Sequence, residues 1–164
     1  MPEFFDRYIN LIEDIDIFEA FKLHSPDKVY SDVSQLISVG DQVYQPGKWT
    51  IKDIIQHVID NERIMGYRAL RFSRNDTTAL PGYDQELLGA NTNAAHRTVE
   101  ELLLEFNQVR LATIALFRGM SNEMMLRSGV AYKSEISALA LGFVMIGHPI
   151  HHMRIIDERY FPLL

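Results

Sequence analysis

The sequence contains no cysteine among its 164 residues. A disulfide scaffold, a zinc site built from thiolates, an iron–sulfur cluster and a cysteine nucleophile are therefore all excluded. Any thiol that takes part in chemistry at this protein must come from another molecule.

Positive charge is also scarce, because 16 Lys and Arg residues stand against 22 Asp and Glu residues and the formal net charge is −6. No run of like charge stands out along the chain. Non-specific affinity for nucleic acid depends on clustered Lys and Arg, so a broad phosphate-binding surface is not expected. We predict that nucleic acid is not a partner of this protein.

Long apolar runs are missing as well. The most apolar segment, residues 138–146, is about half as long as a membrane-spanning helix. Residues 1–6 lack the basic region and apolar core of a signal peptide. We therefore expect no membrane association and a cytoplasmic location. The length and the ordinary share of hydrophobic residues, 47%, favour a single globular domain over residues 1–164.

Most of the chain shows the apolar spacing of helices, and strand-like alternation is essentially absent. We predict an all-α fold, a four-helix bundle with one or two additional short helices. Helices are expected at residues 4–23, 26–40, 50–72 and 98–118, after Ser121, and from Ser134 onward. Residues 73–95 are rich in breakers and are expected to form an irregular segment that covers a site. Thr50 and Ser134 are the expected N-caps of two long helices.

Three of the six histidines lie within residues 148–152. In a helix, His148 and His152 lie one turn apart on the same face. Two imidazoles so placed can hold one divalent metal ion, but a useful site needs a third ligand. His57 is the best candidate, because it lies in the middle of another long amphipathic segment. We predict a metal site of His57, His148 and His152 between two helices of the bundle.

Other interpretations of the histidines stay open. A single histidine is more often a hydrogen-bonded core residue than a metal ligand. His151 points about 100° away from its neighbour, so we expect a partly exposed surface residue, with a supporting role beside the ligands or a substrate contact as the alternatives. His24 and His96 lie near helix ends, where hydrogen bonding or charge explains them. Three further polar residues could orient a ligand ring or belong to solvated faces: Asp60, Asn61 and Asp157.

Pro149 complicates the predicted site. It removes the amide that would bond to the carbonyl of Met145, and it disfavours α geometry at His148. A kink at this point could splay the rings of His148 and His152 apart, or it could aim both rings into a pocket. The sequence allows both outcomes.

Two motifs resemble those of the DinB/YfiT-like metalloenzymes. Residues 47–63, GKWTIKDIIQHVIDNER, resemble the family's second helix, in which a histidine follows a tryptophan by eight residues. Residues 147–152, GHPIHH, are similar to the family's closing Gly-His-x-x-His-His motif, apart from Pro149. Residues 68–71, RALR, and the long segment after them also fit.

The resemblance implies a four-helix bundle that holds a divalent metal, often nickel or zinc, on His57, His148 and His152. It implies homodimers, and it implies thiol-dependent S-transferases or isomerases that use bacillithiol, mycothiol or glutathione. We therefore expect a small-molecule substrate and a low-molecular-weight thiol as cosubstrate. A hydrolase that uses metal-bound water is the alternative among enzymes. A non-catalytic helical bundle in a stress response is the alternative outside them.

Overall fold

The computed structural model describes residues 3–164 of the chain, so two residues of the predicted domain, Met1 and Pro2, lie outside the described part. In chain order the α-helices are α1 (Glu3–Ile9), α2 (Ile17–Leu23), α3 (Pro26–Val29), α4 (Val33–Val39), α5 (Ile51–Ser73), α6 (Gln85–Ala90), α7 (Val99–Arg118), α8 (Asn122–Leu126) and α9 (Ala138–Arg159). Two short strands, β1 (Ser128–Ala131) and β2 (Ser134–Ser137), precede α9. Turns of 3₁₀ helix lie at Ala94–His96 and Phe161–Leu163.

The predicted helical bundle is confirmed. The long helix α5 packs along both α7 and α9, and the short helices α1 and α2 pack against α9. The N-terminal pair thus stands beside the three long helices in place of a fourth long one. The predicted short helix after Ser121 is also confirmed as α8.

A layer of buried polar side chains divides the core into two apolar clusters. One cluster joins α1, α2, the hairpin and the first half of α9, and the other joins α3, α4, the start of α5 and the end of α9. Between them lie buried polar residues of the three long helices: His57, Asn61 and Glu62 of α5, Arg110 of α7 and His148 of α9. Because burying polar groups is costly unless they have partners, a layer of this kind indicates a structural network or a functional site.

The start of α5 is fixed as the sequence predicts. Thr50 Oγ1 accepts a hydrogen bond from the Asp53 amide, and Asp53 Oδ2 accepts one from the Thr50 amide. This capping box satisfies donors that the first turn of the helix leaves free. Tyr160, just after α9, donates from its hydroxyl to the carbonyl of Trp49 at 2.5 Å. The beginning of α5 and the end of α9 are thereby tied together.

The prediction of one continuous helix at residues 4–23 and another at residues 26–40 is wrong. The first divides into α1 and α2, and the second into α3 and α4. An aspartate caps each restart: Asp16 accepts from the amide of Phe18 at 2.8 Å, and Asp32 accepts from the amide of Gln35 at 3.1 Å. Aspartate competes for backbone donors in this way and therefore favours caps over helix interiors.

The N-cap predicted at Ser134 is wrong, and a small two-stranded hairpin joins the predicted helices. Ser134 begins β2, which pairs antiparallel with β1. Ser137 caps α9 instead, since its Oγ accepts from the amide of Ala140 at 3.1 Å. Each strand has only four residues, a length at which apolar alternation gives almost no signal.

The segment at residues 73–95 is more ordered than the sequence predicts. It contains α6, capped by Asp84, and it joins the hairpin through Leu80. The amide of Leu80 donates to the carbonyl of Val130 at 2.9 Å, and the amide of Tyr132 donates to the carbonyl of Leu80 at 2.8 Å. These two bonds hold the segment over one end of the bundle.

The last helix is apolar and central. By length and composition alone, residues 138–163 could cross a membrane, but half of the apolar window lies buried inside the fold. A core helix of a globular protein meets the same criterion. The helix also runs through Pro149 without interruption.

Candidate metal centre

Three imidazole rings meet where α5 packs on α9. His57 Nε2 lies 3.2 Å from His148 Nε2, which lies 3.0 Å from His152 Nε2. The nearest ligand nitrogens of all three residues lie within 4.8 Å of one another. The structure therefore brings together the three histidines that the sequence singles out, and Pro149 does not splay them.

Burial holds these rings in the neutral form. It lowers the pKa of His57 to about 4 and that of His148 well below its ordinary value. Burial, with the neighbouring His57, lowers the pKa of His152 to about 3. Neutral imidazole offers a nitrogen lone pair, which is the form that binds metal ions.

The spacing of the nitrogens suits a small cation. A neutral imidazole carries a single N–H, so when that proton is on Nδ1 of each ring, the three Nε2 atoms present their lone pairs to a common point. Metal–nitrogen bonds of about 2.0–2.1 Å place two ligand nitrogens about 2.9 Å apart at a right angle and about 3.4 Å apart at a tetrahedral angle. The observed 3.0 and 3.2 Å lie between these values. The donor set thus fits a divalent ion with three protein ligands and open positions.

Aromatic side chains hold the rings in place. The indole of Trp49 lies 4.9 Å from the His57 ring, and the phenol of Tyr8 meets the His148 ring edge-on at 5.1 Å between centroids. Tyr8 comes this close because Gly147 has no side chain. A Cβ at Gly147 would lie 2.1 Å from the carbonyl oxygen of Tyr8.

A cavity of about 940 Å³ opens beside the three histidines. Its wall comes from α1, α5 and α9 on one side, and from residues 82–85 and the hairpin turn at residues 131–134 on the other. The expectation that the segment at 73–95 covers a site agrees with this placement. Besides the histidines, the side chains that line the cavity include Tyr8, Asn61, Arg68, Tyr83 and Tyr132.

The other sequence candidates divide between the cavity and the surface. His151 is partly exposed, as predicted, and it also lines the cavity, where it meets Tyr8 edge-on at 5.5 Å between ring centroids. His24 lies at the end of α2 and pairs with Glu13 at 2.9 Å, and His96 is exposed. Both positions agree with roles at helix ends.

The three polar neighbours of the proposed ligands also differ. Asn61 is buried in the cavity wall, where its Nδ2 donates to the Tyr83 hydroxyl at 2.6 Å. Asp60 accepts from Gln56 Nε2 outside the cavity, and Asp157 is exposed. Of the three, only Asn61 lies where it can act on a bound molecule.

The sequence profile of the DinB superfamily matches residues 38–156. The chain belongs to the DinB superfamily. Among solved structures, it is similar to YfiT from Bacillus subtilis, with a TM-score of 0.76 and 18% sequence identity over 93% of this chain and 90% of the other. That protein is described as a probable metal-dependent hydrolase with an unusual four-helix bundle topology. No curated protein shows significant sequence similarity to the chain.

Sequence reasoning missed several residues around the centre of this DinB-superfamily protein. Asn61, four residues after His57, is among the polar neighbours that the sequence singles out, but Arg68 is not. Arg68 follows His57 by eleven residues and shares its helix face, so this spacing could have found it. Tyr8, Tyr83 and Tyr132 come from other segments of the chain. No pattern within the sequence connects those segments to the histidines.

Glu62, the one buried glutamate among the described side chains, is not a ligand. Glu62 accepts two hydrogen bonds of 2.8 Å from Arg110, one on each carboxylate oxygen. Both groups are 2% exposed, and the pair crosses from α5 to α7. Because Arg110 occupies the carboxylate, Glu62 supports the bundle and leaves the histidines as the donor set.

Proposed function

We propose that this protein is a divalent-metal-dependent enzyme, and more specifically a thiol-dependent S-transferase that acts on small electrophiles. The observation that carries the proposal is the meeting of three imidazoles, two buried and one partly buried, at the wall of a large cavity. His57, His148 and His152 would hold the ion. We propose Ni²⁺ or Zn²⁺, since both accept imidazole nitrogens.

The chemistry divides between the ion and the chain. His57, His148 and His152 would hold a divalent ion, and the ion would supply Lewis acidity, which lowers the pKa of a coordinated thiol. In the transfer, the thiol sulfur forms a bond to an electrophilic carbon, the leaving group departs with its bonding pair, and the thiol proton passes to solvent. Since the chain has no cysteine, the thiol is a second small molecule. The cavity volume is at the upper end of the range for small-molecule sites and suits two reactants.

The residues around the centre position the reactants. Trp49 and Tyr8 fix the rings of His57 and His148, and the burial of these rings limits the access of water. Tyr83 and Tyr132 supply apolar surface on the opposite wall, where an aromatic or other apolar electrophile can stack. Holding both reactants in one cavity reduces the entropic cost of their encounter.

A metal-dependent hydrolase is the second candidate, because YfiT is described as one. Metal-activated hydrolysis often uses a carboxylate as general base. Among the described cavity residues the only carboxylate is Asp84, and its Oδ1 accepts from the amides of Glu86 and Leu87 at the start of α6. Because one oxygen of this exposed carboxylate is used to cap α6, Asp84 is a poor candidate for a general base, which favours the transferase. A non-catalytic bundle in a stress response is the candidate outside the enzymes.

Metal analysis and a thiol screen separate these candidates. We expect one Ni²⁺ or Zn²⁺ per chain in protein purified without a histidine tag, and none in His57→Ala or His152→Ala. We expect conjugation of a chloro-nitrobenzene to bacillithiol, mycothiol or glutathione by the metal-loaded protein. Release of chloride with water alone would favour the hydrolase. If the purified protein contains no metal and the histidine variants are as stable as the wild type, the non-catalytic bundle is the candidate that remains.

The assembly and location of the protein belong to the same proposal. We propose a homodimer in the cytoplasm, on the strength of the family resemblance for the dimer and of composition for the location. Sedimentation velocity of the purified chain tests the first, and fractionation of the source cells tests the second.

A further inference from the structure

Arg68 shares both a helix face and the cavity with the proposed metal centre. It follows His57 by eleven residues, which is close to three helical turns, so the two Cα atoms are about 16 Å apart along α5. Both side chains line the cavity. A ligand that reaches His57 at one end can therefore reach Arg68 at the other.

The guanidinium of Arg68 is buried without an anion. Arg68 is 5% exposed, and its hydrogen bonds go to the carbonyl of Pro81 at 2.9 Å and the sulfur of Met65 at 3.6 Å. No carboxylate of the described residues lies within ion-pair distance of it. A guanidinium has five N–H donors, so most of its donor capacity is left for a ligand.

Arg110 shows how this chain treats a buried arginine that has a structural role. Its guanidinium binds both oxygens of Glu62, and two backbone carbonyls take further N–H groups. A buried charge is costly unless it is paired. Arg68 differs from Arg110 because it has no carboxylate partner. A buried arginine without such a partner is what a site for an anionic ligand requires.

The charge of the cavity wall agrees with an anionic ligand. In a chain of net charge −6, the described residues of the wall include three cations, Arg7, Arg68 and Lys133, and one carboxylate, Asp84. Each cation lies over an aromatic ring, and for Arg68 this ring is Tyr83 at 5.9 Å. Because Arg68 lies above an aromatic face and outside any ion pair among the described residues, its charge stays available to a ligand.

Asn61 supplies a second polar group between the two ends. It lies on the same face of α5, one turn after His57, and is 6% exposed. One end of its amide bonds to the Tyr83 hydroxyl, and Oδ1 is buried with no hydrogen-bond partner among the described residues. An orphaned buried amide in a cavity wall indicates that a ligand completes its hydrogen bonding.

We propose that Arg68 and Asn61 form an anion subsite, and that the molecule bound beside the metal centre is an organic carboxylate. Arg68 would bind the carboxylate through its fork of N–H groups, and Asn61 would bind a polar group nearer the histidines. The subsite does not need the metal. Its role in selecting the substrate rests on the proposed function.

Two probes of the same shape but different charge test the subsite: 4-phenylbutyrate and its neutral amide, 4-phenylbutanamide. Their dissociation constants are measured by calorimetry on the protein as purified and again after removal of metal by a chelator. We expect the carboxylate to bind about tenfold more tightly than the amide in both forms, as one charge-assisted hydrogen bond provides. Equal binding of the two probes by metal-free protein would overturn the proposal.

Three variants assign the preference to Arg68. We expect Arg68→Gln to abolish it, Arg68→Lys to keep part of it, and Arg74→Gln to leave it unchanged, since Arg74 is exposed and outside the cavity. Should Arg68→Gln fail to fold, the side-chain Nε–H resonance of Arg68 in the wild type gives the answer. We expect this resonance to shift when 4-phenylbutyrate is added and to stay in place when 4-phenylbutanamide is added. A preference that survives in folded Arg68→Gln would overturn the proposal.

The same measurements keep the two proposals apart. An Arg68-dependent preference in a protein that never binds metal would support the subsite and reject the proposed enzyme. Stoichiometric metal without the preference would support the enzyme and reject the subsite.

Discussion

Arg110 donates from Nη2 to the carbonyl oxygen of Met145 at 2.9 Å, and this is the carbonyl that Pro149 leaves without its helical donor. A side chain of α7 thus replaces the missing backbone hydrogen bond of α9. The same guanidinium binds Glu62 of α5, so one arginine connects the three long helices next to the histidines. This connection explains how a proline lies between His148 and His152 without dispersing them.

The first prediction concerns the buried ion pair. Arg110→Met should lower the free energy of unfolding by about 3–5 kcal/mol, because it leaves the Glu62 carboxylate buried and unpaired. Urea denaturation measures the change. In the double variant Arg110→Met/Glu62→Met, much of the stability should return, because no charge is left unpaired.

Arg63→Met is the matched control for that loss. Arg63 pairs with Glu105 at 2.7 Å, but its side chain is 49% exposed. Exposed ion pairs contribute little, so we expect a loss of about 1 kcal/mol or less. A similar loss in both single variants would show that burial does not govern the Arg110 pair.

The second prediction concerns Pro149. An uncompensated proline in a helix interior costs about 3 kcal/mol, and its replacement should recover that amount. Since Arg110 already satisfies the Met145 carbonyl, Pro149→Ala should change the free energy of unfolding by less than about 1 kcal/mol. It should also leave metal binding unchanged. A gain near the full cost of a proline, measured by urea denaturation, would mean that the carbonyl is not satisfied in solution.

The histidines and the side chains around them show which contacts can be predicted from the sequence and which cannot. His148 and His152 are recognisable because helical spacing is local, and the motif around His57 identifies the third residue. The partners of Met145 and Arg68 are not recognisable, because they come from other helices or from a loop and depend on packing. Short-range competition explains the errors in the fold: Asp16 and Ser137 cap helices at positions where apolar spacing alone predicts continuity or an earlier start.

The third prediction concerns the metal ligands. Ni²⁺ or Zn²⁺ at about 100 times its dissociation constant should stabilise the wild type by about 2.7 kcal/mol, because the ion binds the folded state. His152→Ala should abolish this gain, whereas His96→Ala, the same change at an exposed histidine, should keep it. Thermal unfolding with and without the ion measures both. Equal gains in the two variants would place the bound ion elsewhere.

The fourth prediction concerns the pH dependence of the metal-free protein. Burial lowers the pKa of His57 from an ordinary 6.5 to about 4, so between these values the unfolded state binds more protons than the folded state. Stability must therefore fall as the pH falls through this range, by an amount on the order of 1.5 kcal/mol between pH 6.5 and pH 5 for this residue. His57→Phe should reduce the slope of unfolding free energy against pH. An unchanged slope would show that His57 is accessible to protons in the folded state.

The fifth prediction concerns the approach of α1 to α9 at Gly147. A Cβ at this position would lie 2.1 Å from the carbonyl oxygen of Tyr8, a backbone atom that cannot rotate away. Gly147→Ala should therefore cost about 2 kcal/mol or more and weaken metal binding, because Tyr8 must move from the His148 ring. Gly66→Ala is the control, since nothing lies within 4 Å of the Cβ it would add to α5. Alanine favours a helix interior, so that change should stabilise the protein by up to about 1 kcal/mol. If Gly147→Ala and Gly66→Ala had the same melting temperature, α1 would lie farther from the metal centre in solution than in the structure.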